Sequence, residues 1–239
     1  MSVLTNKDLF PTPPEVIDMM LSEIDVVDKV ILEPSAGFGN IVDALKTIGA
    51  RQVLTYEKET DLQHILKAKS KFLGEDFLQA QKEELSHIHA IIANPPFSTG
   101  GRHILHMWEV APEGCEIIAL CNTNTLEVDH TRERRILNKL IRDYGRAEKL
   151  GNVFSGAERR TDVGVSVVKL FKPIVSDDYN FEGFFIDEEE EVSTGPGIMP
   201  YNEVRSIVNR YVGAVKCFDE FKAVSEKMNS MLKPIGLND

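Results

Sequence analysis

The sequence predicts an α/β fold, an open and mostly parallel sheet built from strand–helix units, and three stretches predict it. Lys29-Val30-Ile31-Leu32 reads as a strand. It runs into the turn Glu33-Pro34-Ser35-Ala36-Gly37-Phe38-Gly39-Asn40 and continues as a helix to about residue 48, a nucleotide-type βα unit. Gln52 to Glu57 reads as a second strand, ending in a carboxylate twenty residues beyond Gly37, the spacing at which an acidic side chain binds ribose hydroxyls in dinucleotide folds. The apolar run His89 to Ala93 reads as a buried strand that stops at Asn94-Pro95-Pro96-Phe97, where two prolines forbid both helix and ladder. The Asn94 amide and the carbonyls beside it are thereby presented at a strand's C-terminal end, where open α/β sheets place their ligands.

Bulk composition sets the frame. The chain has 239 residues, 42% hydrophobic and 27% charged, which suits one globular domain with an appendage. No apolar run approaches a membrane span, and the start lacks a basic-then-apolar signal, so no membrane partner is expected. Three cysteines without a CxxC pair predict reduced thiols, no zinc site and a cytoplasmic setting. The net charge of −11 is unevenly spread: residues 174–239 carry −7, while residues 131–172 carry eleven basic and five acidic side chains, or +6. A local basic face of that kind is compatible with a nucleic-acid substrate and equally with a solvated surface.

In chain order, Phe10-Pro11-Thr12-Pro13-Pro14-Glu15 is an extended entry into a helix starting near Pro13 or Pro14, with Val16, Ile17, Met20 and Leu21 at helical spacing. The glycines of the 33–40 turn let backbone approach a ligand closely, and an opening glutamate suits a ligand carrying an ammonium group better than a pyrophosphate. Lys71 to Leu78 is a short strand and turn containing Asp76 and Phe77, a pair that also suits an ordinary turn with a core aromatic. Ser98 to Gly101 reads as flexible. A helix follows around His103, Ile104, Met107 and Trp108, with His103 and His106 expected on a solvated face. Glu116 to Cys121 is the fifth strand, and Arg132 to Tyr144 a basic amphipathic helix with Ile136, Leu137, Leu140 and Ile141 inward. Residues 147–154 and 163–171 pair as an antiparallel hairpin around a loop holding Arg159 and Arg160. From Pro173 the character changes to an acidic linker, then a helix from about Pro200 to Leu232. Tyr201, Val204, Val208, Tyr211, Val215 and Phe218 recur there at heptad spacing, a stripe that must be covered.

Asn94-Pro95-Pro96-Phe97 resembles motif IV of the amino-methyltransferases, which methylate exocyclic NH2 groups with S-adenosylmethionine. Around it, Phe10 to Pro13 resembles motif X, Glu33 to Asn40 motif I, Asp76-Phe77 motif III, and Val153-Phe154 motif VIII of adenine-specific members. The order of motifs across roughly residues 8–173 resembles the gamma-type DNA adenine N6-methyltransferases. The resemblance implies a class I methyltransferase Rossmann-like domain over residues 1–173. Its sheet would be seven-stranded and mostly parallel with an antiparallel last strand, followed by a helical C-terminal extension over 174–239. It implies S-adenosylmethionine held by Phe10, Thr12, Pro13, Glu33, Ser35, Gly37, Gly39, Asn40, Glu57, Asp76, Phe77 and Asn94. Catalysis would fall to Asn94, Pro95, Pro96 and Phe97.

The implied chemistry suits the residues. An adenine N6 lone pair is delocalised into the ring; two fixed acceptors, the Asn94 side-chain oxygen and the Pro95 carbonyl, would localise it and favour the positive charge of the transition state. Phe97 and Phe154 would stack on the two faces of a base turned out of the duplex, and Arg159 and Arg160 would hold phosphate at the rim. The chain departs from the pattern at Lys58, where the family more often has an apolar residue against the cofactor's adenine. It departs again after residue 173, where a segment of only 66 residues with a net charge of −7 stands in place of a large recognition domain. The implied partners are DNA and, through the heptad helix, a second copy or a separate specificity subunit, in a bacterial or phage-encoded enzyme. The alternatives are methylation of an RNA base or a protein glutamine amide, and a non-catalytic docking role.

Overall fold

The computed structural model describes residues 9–128, 130–154 and 164–174, together with positions 211, 218, 222 and 225. The chain divides into two units, Met1–Val175 and Ser176–Asp239. In the first, the elements run α1 (Pro14–Leu21), β1 (Val30–Glu33), α2 (Asn40–Ile48), β2 (Gln52–Tyr56), α3 (Thr60–Lys69), β3 (Lys71–Gly74), β4 (Ala90–Ala93), α4 (Gly100–Val110), β5 (Glu116–Asn122), α5 (Thr123–Glu127), α6 (Arg132–Tyr144), β6 (Gly145–Gly151) and β7 (Val165–Phe171).

The seven strands form one sheet in the order β3-β2-β1-β4-β5-β7-β6. The first five are parallel neighbours, and β7 runs antiparallel between β5 and β6. This is the class I methyltransferase Rossmann-like architecture. Side chains of β1 and β4 alternate between two apolar layers: Val30, Leu32, Ile91 and Ala93 face Ile104, Met107 and Leu137, while Ile31, Ala90 and Ile92 face Val16, Met20, Ile41 and Leu45. A strand buried on both faces needs an uninterrupted apolar run, which is what VIL and AIIA provide. The chain order reverses between β1 and β4, so the crevice beyond their C-terminal ends is the switch point where such sheets take ligands. Glu33 closes β1 there, and Asn94 follows β4.

Four expectations are corrected. Residues 98–101 are not wholly loop: α4 begins at Gly100, and the missing side chain of Gly101 lets its first turn press against α5 and α6. A Cβ on Gly101 would lie 3.2 Å from both Glu133 Oε1 and Thr125 Cγ2. His103 is buried and His106 half-buried, not solvated. Phe77 lies against both rings, at 6.3 and 4.9 Å between centroids. The first hairpin strand is Gly145–Gly151 rather than 147–154, so Phe154 lies beyond the ladder. On α6, Ile136 is exposed, while Leu137, Leu140 and Ile141 are buried as expected. In the second unit, Tyr211 and Phe218 of the heptad stripe are exposed; the acidic run 187–191, Cys217 and the rest of that stripe lie outside the described residues. No helix among the described residues is long and apolar enough to cross a membrane.

Candidate functional site

Beyond β1 and β4 opens a cavity of about 290 Å³. Of the predicted site residues, Phe10, Thr12, Glu33, Ser35, Gly37, Asn40, Glu57, Asp76, Phe77, Asn94 and Pro96 line it. They come from segments scattered over more than 80 positions and meet only through the sheet order.

The turn after β1 is shaped by its glycines. Gly37 and Gly39 both have positive φ, +52° and +80°, which a side chain disfavours, and a Cβ on Gly37 would meet Leu9 at 3.3 Å. Gly39 caps the N-terminus of α2 and shapes the turn without lining the cavity. Glu57, at the end of β2, braces this turn: its Oε2 accepts from Gly37 N–H at 2.6 Å and its Oε1 from Glu59 N–H at 2.7 Å. The Lys58 amide bonds this carboxylate as well, and a carboxylate offers about four lone-pair sites, so one remains for a ligand hydroxyl. Sequence spacing points to the ribose role alone; the bracing of Gly37 adds to it.

Glu33 is 2% exposed, and its Oε2 is buried with no hydrogen-bond partner. Burial pushes its carboxyl well above the usual glutamate range, and nearby Glu57 pushes it further. Burial likewise raises Glu57, against the opposing pull of the Glu59 and Gly37 amides. Glu33 lines the cavity, and a cationic donor placed beside its carboxyl would favour the ionised form.

At the far end, Asp76 caps the short 3-10 turn Phe77–Gln79 through Leu78 N–H at 3.1 Å, and its other oxygen lies 3.7 Å from Lys58 Nζ. Lys58, the departure from the family pattern, lines the cavity and is paired to that acid. Phe77 is packed between Tyr56 and the two histidines. Leu9, Phe38, Leu78, Thr99, Arg102 and His103 also line the cavity without having been expected there. Phe38 carried the one usable signal, an aromatic between two turn glycines. Burial lowers the His103 ring below the ordinary histidine range.

Asn94 is set by its partners. Its Nδ2 donates to the Phe10 carbonyl and to Thr12 Oγ1, each at 3.0 Å. A carbonyl only accepts, so the nitrogen must face Phe10, and Oδ1 is left as the free end of the amide. The following turn closes from Thr99 N–H to the Pro96 carbonyl at 3.0 Å, while Pro95, expected beside Asn94 at the site, is buried and, like Phe97, does not line the cavity. Pro13 does not line the cavity; its carbonyl accepts from Val16 and Ile17 at the head of α1.

The two aromatics expected to bracket a base are arranged differently. Phe97 is 8% and Phe154 0% exposed, and both belong to the apolar core. They meet edge to face, with centroids 5.5 Å apart and planes at 89°. A sandwiched base needs two parallel rings with a ring's thickness between them, so this pair is a packed contact rather than an open slot. Phe10 completes the cluster, 5.6 Å from Phe97 and 6.4 Å from Phe154. Phe154 lies just past β6 and is buried in the apolar cluster that also holds Phe97. Arg159 and Arg160 lie outside the described residues. No group of three or more His, Cys, Asp or Glu able to hold a metal occurs among the described residues.

No sequence-family model and no curated protein sequence matches the chain. Solved structures do resemble it. A modification subunit assigned to a type I restriction enzyme from Vibrio vulnificus matches with a TM-score of 0.54 at 13% identity, over 71% of this chain and 46% of that one. The 23S rRNA methyltransferase ErmE gives 0.53 at 17%, over 68% and 69%. A dimethyladenosine transferase from Plasmodium falciparum gives 0.52 at 16%, over 72% and 66%. At such identities the likeness defines the fold, that of class I methyltransferases.

Proposed function

We propose that this chain transfers a methyl group from S-adenosylmethionine to the exocyclic N6 amine of adenine, with DNA as acceptor. The observation that carries the reading is the Asn94 amide: both of its N–H groups are bound within the protein, and its oxygen is the end left for a substrate amine. Oδ1 and the Pro95 carbonyl would accept the two amine hydrogens, localise the lone pair and favour the charge that grows on nitrogen. The cavity fits the cofactor's polarity. Glu33 Oε2, buried and unpartnered, would hold its ammonium; Glu57 would take a ribose hydroxyl; Asp76, Phe77 and the Lys58 stem would border its adenine. When bound, the cofactor supplies a methyl group on positively charged sulfur. The chain's own residues orient the acceptor and exclude water; they form no covalent intermediate.

Motif order and the modification-subunit neighbour support DNA. The rRNA methyltransferase and the dimethyladenosine transferase among the neighbours support a second reading, an RNA adenine. The heptad stretch 201–218 is proposed to recruit a second copy or a specificity subunit. The test is labelled methyl transfer offered in parallel to unmethylated genomic DNA, total RNA and protein. N6-methyladenine in DNA supports the proposal, label in RNA the second reading, and label in protein glutamine contradicts both.

A further inference from the structure

Both bonds on Asn94 Nδ2 come from one strap, Phe10 to Thr12, 84 and 82 residues upstream. They differ in kind. The Phe10 partner is a backbone carbonyl, which no side-chain substitution removes; the Thr12 partner is a hydroxyl. Thr12 is 6% exposed and lines the cavity, and its own carbonyl accepts from Asn40 Nδ2 at 3.4 Å. It therefore touches the head of α2, the cavity and Asn94 together. Because Oγ1 accepts from Asn94, the hydroxyl hydrogen is available to a ligand acceptor inside the cavity.

We propose that Thr12 is a positioning residue: it fixes the plane of the Asn94 amide, so that Oδ1 faces the substrate amine, and ties that orientation to occupancy of the cofactor cavity. The inference rests on the methyltransferase reading above. One bond on Nδ2 leaves the amide free to pivot about the line to the Phe10 carbonyl; the second, from a different direction, locks it. Misplacing a reacting group by about 1 Å costs on the order of 10²-fold in rate.

The test compares wild type, Thr12→Val (same shape, no hydroxyl) and Thr12→Ser (hydroxyl kept). Single-turnover methyl transfer is followed at saturating S-adenosylmethionine on whichever nucleic acid the wild type methylates, DNA or RNA. S-adenosylhomocysteine affinity is measured by calorimetry. Thr12→Val is expected to lower the saturated rate by about 10- to 100-fold, with a smaller change in affinity, and Thr12→Ser to restore most of the rate. If Thr12→Val loses affinity alone and keeps the saturated rate, Thr12 is an ordinary cofactor contact and the inference is overturned. Folded Thr12→Ser that fails to restore the rate overturns it as well. A wild-type chain that methylates neither DNA nor RNA overturns the underlying reading, and the inference with it.

Discussion

An amide has two ends of opposite polarity, and its neighbours decide which one a substrate meets. At Asn94 the decision is made by Phe10 and Thr12, residues far away in sequence, and the same strap that covers the cavity sets the acceptor. Glu33 shows the complementary case, a buried carboxyl with one oxygen left without a hydrogen-bond partner. Its folded pKa is raised, so the folded protein holds a proton that the unfolded chain releases; the stability this gives is present at low pH and is lost as pH rises from the ordinary glutamate range through the raised value. Ionised Glu33 is the form that pairs with an ammonium, so cofactor affinity should rise over the same window. Glu33→Gln is therefore expected to raise the melting temperature near neutral pH. It should weaken S-adenosylmethionine binding by about ten- to a hundredfold, read by calorimetry across pH. A lower melting temperature with unchanged affinity would contradict it. Glu33, Glu57 and Asn94 were legible as site residues because strand ends and turn glycines mark them in sequence. The partners of Asn94 were not, since a hydrogen bond across 84 positions leaves no periodic trace.

Local pattern gave most elements where apolar spacing was regular. The helix 132–144 matches the expected bounds, and β1, β2 and β5 fall within a residue of theirs. Residues 60–69 have only a shallow apolar face, Leu62 and Leu66 buried, too weak a period to mark a helix in sequence; the structure makes them α3. At Gly100 and Gly101 the composition suggests a loop, but close helix approach at Gly101 outweighs the usual glycine cost. Two variants test elements directly. Gly37→Ala places a side chain at φ +52° against Leu9 and should cost about 1–2 kcal/mol, seen as a lower urea midpoint with weakened cofactor binding. Phe154→Ala removes a fully buried ring and should cost about 3–5 kcal/mol, whereas a solvent-facing base stacker at the rim would change stability by within about 0.5 kcal/mol. A near-neutral result would return Phe154 to the substrate role expected from its motif.

Over the whole molecule, sheet order is what turns scattered residues into a site. Reversal of strand order between the parallel neighbours β1 and β4 opens the crevice, and the turn after β1, the end of β2 and the Asn-Pro-Pro turn all reach it from their own strand ends. The parallel sheet and its antiparallel finish were legible from strand spacing and the resemblance together. Substrate identity was not, because a strand-end amide with a carbonyl beside it serves any planar NH2 group, and the fold serves many acceptors. The central claim is that the acceptor pair at 94–95 activates an adenine amine, and quantifying N6-methyladenine by mass spectrometry tests it most directly. Unmethylated DNA would be incubated with S-adenosylmethionine and either the wild-type chain or Asn94→Ala. The account predicts N6-methyladenine with the wild type and a fall of about 10²–10³-fold in rate with the variant; equal yields from both, or methyl found only on protein glutamine, would contradict it.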